Sequence, residues 1–349
     1  MLNNNLNIVV TIMENKNQMK VLSLHAVGDL RLERAPIPQV KDDEVLVKIK
    51  NCGICGSDIG RVFEHGTYSF PTVPGHEFSG QVVFDKSGEW TGKKVAIFPL
   101  LPCFECQMCK EGNYAECTNY DYYGSRRDGA WAEYLAVKKF NLIEVPESVS
   151  YAEAAMCEPI AVAVHAFSKL NVEKNKSLLI SGAGPIGLII GHLAKGAGVK
   201  DVAYIEIDNE KIKFLKENGF IHYDETDGIK YDYAIEGAGA SAALSKLLCG
   251  VKPFASVVLM GNPAREMTLS QHHYWKILRG ELKLYGTWNS FYNDKVNDWK
   301  TAIKLIPDGK LNLDKLITHY VPLDKALDAL NMMKDKKEFF CKVMIDNER

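Results

Sequence analysis

The residues best spaced for chemistry fall into clustered thiols, a glycine turn followed by an acid, and lone Cys, His and Glu residues in short glycine-rich segments. The densest is LPCFECQMCKEGNYAEC, with cysteines at positions 103, 106, 109 and 117. Four thiolates in so tight a loop suit a closed tetrahedral Zn²⁺ site. An iron–sulfur cluster also takes four thiolates, although its common spacings differ from C-x₂-C-x₂-C-x₇-C. Disulfides between such near neighbours would be strained. A closed site has no position for a substrate, so Cys103, Cys106, Cys109 and Cys117 are expected to brace the chain rather than react.

The second group is GAGPIG, residues Gly182, Gly184, Pro185, Ile186 and Gly187 with Ala183 between the first two. It follows the apolar run KSLLIS and opens the helical run PIGLIIGHLAKGAG, the context in which G-x-G-x-x-G binds a dinucleotide pyrophosphate. Glu206, in IEID, stands close to the ~20-residue offset at which an acid takes the ribose hydroxyls. A carboxylate there repels a 2′-phosphate and no arginine follows it, which favours NAD over NADP. Asp208 is the competing acid.

The third group is sparse. GICGSD holds Cys55 and Ser57, GHEFSG holds His76 and Glu77, and MCEPIAVAVHAF holds Glu158. Thiolate, imidazole and carboxylate suit zinc, and three protein ligands leave one position open. Each has a plain structural reading as well: a small core cysteine, a strand-end histidine, an acid at a helix start. Sequence distance alone does not bring them together.

The elements that must position these residues follow two grammars. From Met19 to about Val145, short apolar segments alternate with Gly, Pro and Asp, as in EVLVKIKNCGIC, EFSGQVVFD and KKVAIF, predicting an irregular, mostly antiparallel β domain. Residues 151–170 read as helical except at Pro159. After Asn175, strand and helix alternate in the manner of a parallel, doubly wound sheet. From about Asn289 that alternation stops, and the chain ends on the strand CKVMID.

Composition bounds the rest. A chain of 349 residues has room for two cores. The net charge of −2 and the absence of like-charge runs exclude a general attraction to nucleic acid or to an anionic membrane. A zinc module for nucleic acid would need a basic face, which that charge and the glycine turn oppose. No apolar run is long enough for a membrane span. The N-terminus lacks the pattern of a secretory signal, so a cytoplasmic, reducing compartment is expected. Nine cysteines then read as thiols and ligands rather than as a disulfide framework. Residues 1–18, rich in asparagine, are expected to form a loosely ordered extension.

GICGSD, GHEFSG, the spaced cysteines, GSRRDGAWAEY, the CEP segment and GAGPIG occur in the order found in zinc-dependent medium-chain dehydrogenases. The chain resembles that family from about Met19 to its C-terminus, and Glu158, where a second cysteine often sits, resembles the polyol dehydrogenase branch. The resemblance implies an α/β protein: a GroES-like β-rich catalytic domain over 19–165 and 290–349, and a Rossmann NAD-binding domain over 166–289. It implies two zinc ions per chain, the catalytic one on Cys55, His76 and Glu158, with Glu77 as a neighbour able to replace water on it. Ser57 matches the small hydroxyl residue beside the reacting oxygen, and Ser57 and Glu77 are candidates for the proton route. The shortened run QVVFDKSGEWTG departs from the family in a surface hairpin only.

The expected reaction is hydride transfer to NAD from a secondary alcohol of a polyol phosphate. The alternative is an unphosphorylated substrate: sorbitol, a vicinal diol or threonine. A phosphate would need cationic contacts, for which Arg126 and Arg127 are the first candidates, with Arg61 and His65 behind them. Trp288 and Asn289 are candidates for lining the substrate pocket. Relatives are homodimers or homotetramers, and ELKLYGTW and FASVVLMG are candidate interface segments.

Overall fold

Residues 18–349 are described by the computed structural model. The expected N-terminal extension lies outside the described residues except for Gln18, which opens the first strand, Gln18–Ala26. The chain divides into two units. The first reaches to Glu158 and resumes over Tyr292–Pro307 and Leu313–Arg349; the second covers Pro159–Phe291 and Asp308–Asn312. The division therefore falls inside the helix Cys157–Ser168, earlier than the expected 165/166 boundary. That helix runs through Pro159 because the proline sits in its first turn, where a missing N–H leaves no intrahelical bond unmade.

The first unit is built on a seven-stranded sheet. Six strands follow the order Ile317–Val321, Lys342–Asp346, Glu44–Ile54, Glu77–Asp85, Lys94–Ile97, Leu142–Glu144, and Tyr134–Lys138 pairs with Glu44–Ile54 off that path. Glu44–Ile54 is the pivot, pairing antiparallel with three neighbours. Its side chains are buried along most of its length, and they pack with Leu24, Phe78, Trp131 and Val343 in one apolar core. Register decides what stands at its end. Gly53 lies opposite Glu77 and Ile54 opposite Val343, so Cys55, His76, Glu77 and Lys342 gather at one end of three adjacent strands.

The C-terminal part departs from expectation. Ile317–Val321, the helix Ala326–Asp335 and Lys342–Asp346 form a strand–helix–strand unit with a parallel pair, so alternation does not stop at Asn289. Ala326, Ala329, Leu330 and Met333 are the buried positions of the helix, an i, i+3, i+4, i+7 stripe that marks it in the sequence.

The second unit holds a six-stranded, all-parallel sheet. Its spatial order is Ile221–His222, Asp201–Ile205, Ser177–Ser181, Tyr231–Glu236, Val251–Leu259, Lys283–Gly286. Counted within the unit this is 3-2-1-4-5-6, the dinucleotide-binding order. All five residues of Ser177–Ser181 are buried, as a central parallel strand covered on both faces requires.

Candidate metal centre and active site

Cys55 is the N-cap residue of the short helix Gly56–Gly60, directly after the pivot strand. The third residue of that helix, Asp58, is fully buried and ties the site together. It accepts the Cys55 backbone N–H at 2.9 Å and an Arg61 Nη1–H at 2.9 Å. Its Oδ1 lies 3.4 Å from Nδ1 of buried His76. Burial alone would raise the Asp58 carboxyl, but His76, Arg61 and the Cys55 N–H outweigh it and hold it down to about 2. Arg61 also donates to Ser57 Oγ at 2.8 Å, so the exposed Ser57 hydroxyl keeps its own proton for another acceptor.

Donor atoms of Cys55, His76 and Glu77 all lie within 4.8 Å of one another. Glu77 is buried and pairs with buried Lys342, and the bare Cα of Gly53 leaves room for its carboxylate. Glu158, expected as a ligand, is buried in the same charge cluster but outside that tight group. Burial pushes its carboxyl up to about 7, with Glu77 adding to the rise and His76 and Lys342 opposing it. For His76, burial disfavours the imidazolium, yet Asp58 and Cys55 outweigh burial and raise its pKa well above the ordinary range. Three carboxylates and a thiol here face Arg61, Lys342 and the His76 ring. A thiol, an imidazole and a carboxylate converging in one place supply the sulfur, nitrogen and oxygen donors that a divalent cation of the zinc type takes.

The four-cysteine loop is a separate cluster. All nine cysteines are free, and Cys103, Cys106, Cys109 and Cys117 bring their sulfurs within 4.8 Å of one another. Cys103 and Cys109 stand 3.9 Å apart, as do Cys106 and Cys117. Thiolates ~2.3 Å from one tetrahedral ion would stand roughly 3.8 Å apart, so the loop fits a single zinc. Its own backbone prepares the sulfurs. Cys106 N–H donates to Cys103 Sγ, and Cys103 N–H and Asn119 N–H donate to Cys117 Sγ, each at 3.4 Å. Backbone donors hold Cys106 down to about 6, while burial pushes Cys109 up to about 12. Phe104, at φ 61°, takes the left-handed turn that the first C-x₂-C requires.

In the second unit, Gly182 (φ 94°) makes the turn after Ser177–Ser181, and Gly184 caps the helix Pro185–Gly196, with Pro185 at its first position. A side chain on Gly187 would strike the Gly182 carbonyl. Glu206 leans back onto this turn: it accepts the Ala183 N–H at 3.0 Å, and also those of Ile207 and Asp208. Asp208 is engaged instead as the N-cap of Asn209–Glu217.

Two family models match the chain: "Alcohol dehydrogenase GroES-like domain" over residues 41–147 and "Zinc-binding dehydrogenase" over residues 185–308. The chain is 36% identical to galactitol 1-phosphate 5-dehydrogenase of Escherichia coli (strain K12) over 310 residues, 84% of this chain and 90% of that one. This chain belongs to the zinc-binding alcohol dehydrogenase family. The crystal structure of galactitol-1-phosphate dehydrogenase from Escherichia coli superposes with a TM-score of 0.88 at 33% identity, covering 94% of this chain and all (100%) of that one. An alcohol dehydrogenase from E. coli CFT073, solved with NADH, gives a TM-score of 0.85 at 29% identity, over 95% of this chain and 100% of that one. The protein is thus an NAD-dependent, zinc-dependent dehydrogenase of the alcohol and polyol class, with a GroES-like and a Rossmann domain.

The substrate-side candidates of this dehydrogenase separate clearly. Arg127 pairs with Asp121 at 3.2 Å, and Asp128 is taken by the Val73 N–H. Arg61 is committed to Asp58 and Ser57. His65 is exposed and folds back over Gly60. Arg126 lies between two tyrosine rings. Trp288, 56% exposed, and Asn289, at φ 55°, follow the edge strand Lys283–Gly286 of the second unit. Sequence reasoning missed three members of the metal centre: Asp58, Lys342 and Tyr122, whose ring centroid is 6.0 Å from that of His76. A signal existed for Lys342, a lone lysine at the head of the apolar run Val343–Ile345, and for Asp58, which closes the GICGSD segment.

Proposed function

We propose that this dehydrogenase oxidises a secondary alcohol of a polyol phosphate with NAD, galactitol 1-phosphate to tagatose 6-phosphate being the best-fitting reaction. The observation that carries the chemistry is the convergence of Cys55 with buried His76 and Glu77, with buried Glu158 in the same charge cluster. In this reading Cys55, His76 and Glu158 hold the catalytic zinc. Glu158 is preferred as third ligand because it forms no ion pair among the described residues, whereas Glu77 is already matched by Lys342. The four clustered cysteines hold the second zinc. Zinc supplies a Lewis acid that acidifies the substrate hydroxyl, and NAD supplies the hydride acceptor.

The remaining work falls to the chain. Asp58 orients the His76 ring, as a carboxylate behind a ligating histidine does. Arg61 fixes Ser57 Oγ, so that the exposed hydroxyl can pass the substrate's proton toward water. Glu206, beside the GAGPIG turn, takes the ribose hydroxyls and selects NAD. The polyol-phosphate assignment is supported by the likeness to the Escherichia coli enzyme named for galactitol 1-phosphate.

The proposal extends to setting. Nine free thiols suit a reducing cytoplasm, and among the described residues no helix is long and apolar enough to cross a membrane. Exposed Tyr274, Trp275, Leu278 and Leu284 of the second unit are the surface offered for a homodimer or homotetramer. The deciding assay measures NAD reduction with galactitol 1-phosphate, galactitol, sorbitol, 2,3-butanediol and threonine. The expected order puts the phosphorylated polyol first in kcat/KM; a free polyol or threonine in first place would replace this reading with the alternative.

A further inference from the structure

Among the described residues of the first unit, Arg31, Arg61, Arg127 and Arg349 each pair with an aspartate. Arg126 pairs with no carboxylate among the described residues, although it is held more firmly than a solvated arginine. Its guanidinium carbon lies 3.9 Å from the ring centroid of Tyr68 on one side and 4.4 Å from that of Tyr120 on the other. Its Nε is buried and has no hydrogen-bond partner. The backbone is fixed as well: the N–H groups of Arg126 and Arg127 both donate to the Tyr122 carbonyl, at 3.0 and 3.2 Å, and the Tyr68 N–H donates to the Ser125 carbonyl at 3.2 Å.

We infer that Arg126, clamped between Tyr68 and Tyr120, is the residue that reads the substrate's phosphate. The inference rests on the polyol-phosphate reading above and assigns the group that enforces it. With both rings close to the guanidinium carbon and Nε buried, its remaining capacity lies in the Nη hydrogens. An in-plane fork matches two oxygens of a phosphate monoester, and the clamp removes the rotamer freedom that binding would otherwise cost. Position agrees with that role. Tyr120 is 6.4 Å from Tyr122 between ring centroids, and Tyr122 is 6.0 Å from His76, so one aromatic run links the clamp to the metal centre within the same unit. Arg127 and Arg61, the other arginines among the candidates, have their charge taken by Asp121 and Asp58.

The experiment uses the zinc-loaded full chain and compares wild type with Arg126→Met, which keeps an apolar stem between the rings, and Arg126→Lys, which keeps the charge without the fork. Arg127→Met is the control. KM and kcat are measured with galactitol 1-phosphate and with galactitol, and inorganic phosphate is tested as a competitive inhibitor. Arg126→Met should raise KM for the phosphorylated polyol by roughly 10- to 100-fold, the size of one or two charge-assisted hydrogen bonds, while KM for galactitol moves less than about twofold. Phosphate inhibition should weaken in step, Arg126→Lys should fall between, and Arg127→Met should resemble wild type. If both substrates lose equally, or neither does, while wild type still prefers the phosphorylated one, the assignment to Arg126 is wrong and the substrate reading stands. A wild type indifferent to the phosphate overturns the substrate reading, and this inference with it. Should Arg126→Met prove unstable, the KM split in Arg126→Lys decides alone.

Discussion

The two metal centres of the first unit are built on opposite principles. The four-cysteine loop draws every donor from residues 103–117 and receives N–H···S bonds from its own backbone. The other centre brings Cys55 to His76 and Glu77 from a distant segment, with Glu158 buried in the same charge cluster, and involves Asp58, Arg61 and Lys342 in its charge balance. Ligand density therefore measures self-sufficiency rather than reactivity. A loop that encloses an ion within a few turns leaves nothing open, whereas an open position requires walls, and here three strands of a sheet provide them.

The hardest test of that contrast is to remove one donor from each centre. His76→Ala should lower kcat/KM on the order of 10³-fold or more, as loss of a Lewis acid demands, while keeping one tightly held zinc per chain and a near-native melting temperature. Cys106→Ser should do the reverse, with a melting temperature lower by roughly 10 °C or more because the ion supplies folding energy there. Metal analysis and calorimetry on both variants check the pair. Turnover at the wild-type rate in His76→Ala, or an unchanged fold in Cys106→Ser, would break the comparison. A chelator separates the two as well, since the open-site ion and the activity should leave before the enclosed ion does.

The same contrast explains what could be read from the sequence. C-x₂-C-x₂-C-x₇-C and GAGPIG-to-Glu206 are local patterns, and local backbone geometry enforces both. The strand–helix alternation of residues 175–286 was legible for the same reason. The sparse centre was legible only through the order of its motifs. Which carboxylate approaches Cys55 and His76, and that Lys342 matches Glu77, depend on the register of Lys342–Asp346 against Glu44–Ile54, a pairing across nearly the whole chain. The helix Ala326–Asp335 was missed although its stripe is regular, because two of its four buried positions are alanines, which give a weak apolar signal.

Lys342 offers a test on stability rather than on rate. Lys342→Met would leave the Glu77 carboxylate buried without its cation, a loss of about 3–5 kcal/mol. Lys342→Met with Glu77→Gln should recover most of that loss, because the uncompensated charge goes with it. Urea unfolding of the three variants measures both. A single variant as stable as wild type would mean that the pair is spectator to the fold and that the open centre does not depend on distant charge.

The smallest effect sharpens the comparison most, because it isolates the carboxylate that distinguishes Glu158 from Glu77. In protein stripped of the open-site ion, burial holds the folded-state pKa of Glu158 at about 7, above the ordinary glutamate value of 4.5. The sign follows. The contribution of Glu158 is fully present below its unfolded pKa, declines as pH rises because the unfolded chain releases the proton first, and is gone once pH passes through the folded pKa. His76 acts with the same sign at higher pH, so the difference between wild type and Glu158→Gln is the informative curve. Between about pH 5 and 7 the stripped glutamine variant should gain on stripped wild type by an amount on the order of 1–3 kcal/mol. Restoring zinc should reverse the ranking, since a nearby cation favours the ionised carboxylate that glutamine lacks. Thermal melts of both proteins across that window, with and without zinc, give the result. A difference that ignores zinc would transfer the third-ligand role from Glu158 to Glu77, whose charge Lys342 already holds in place.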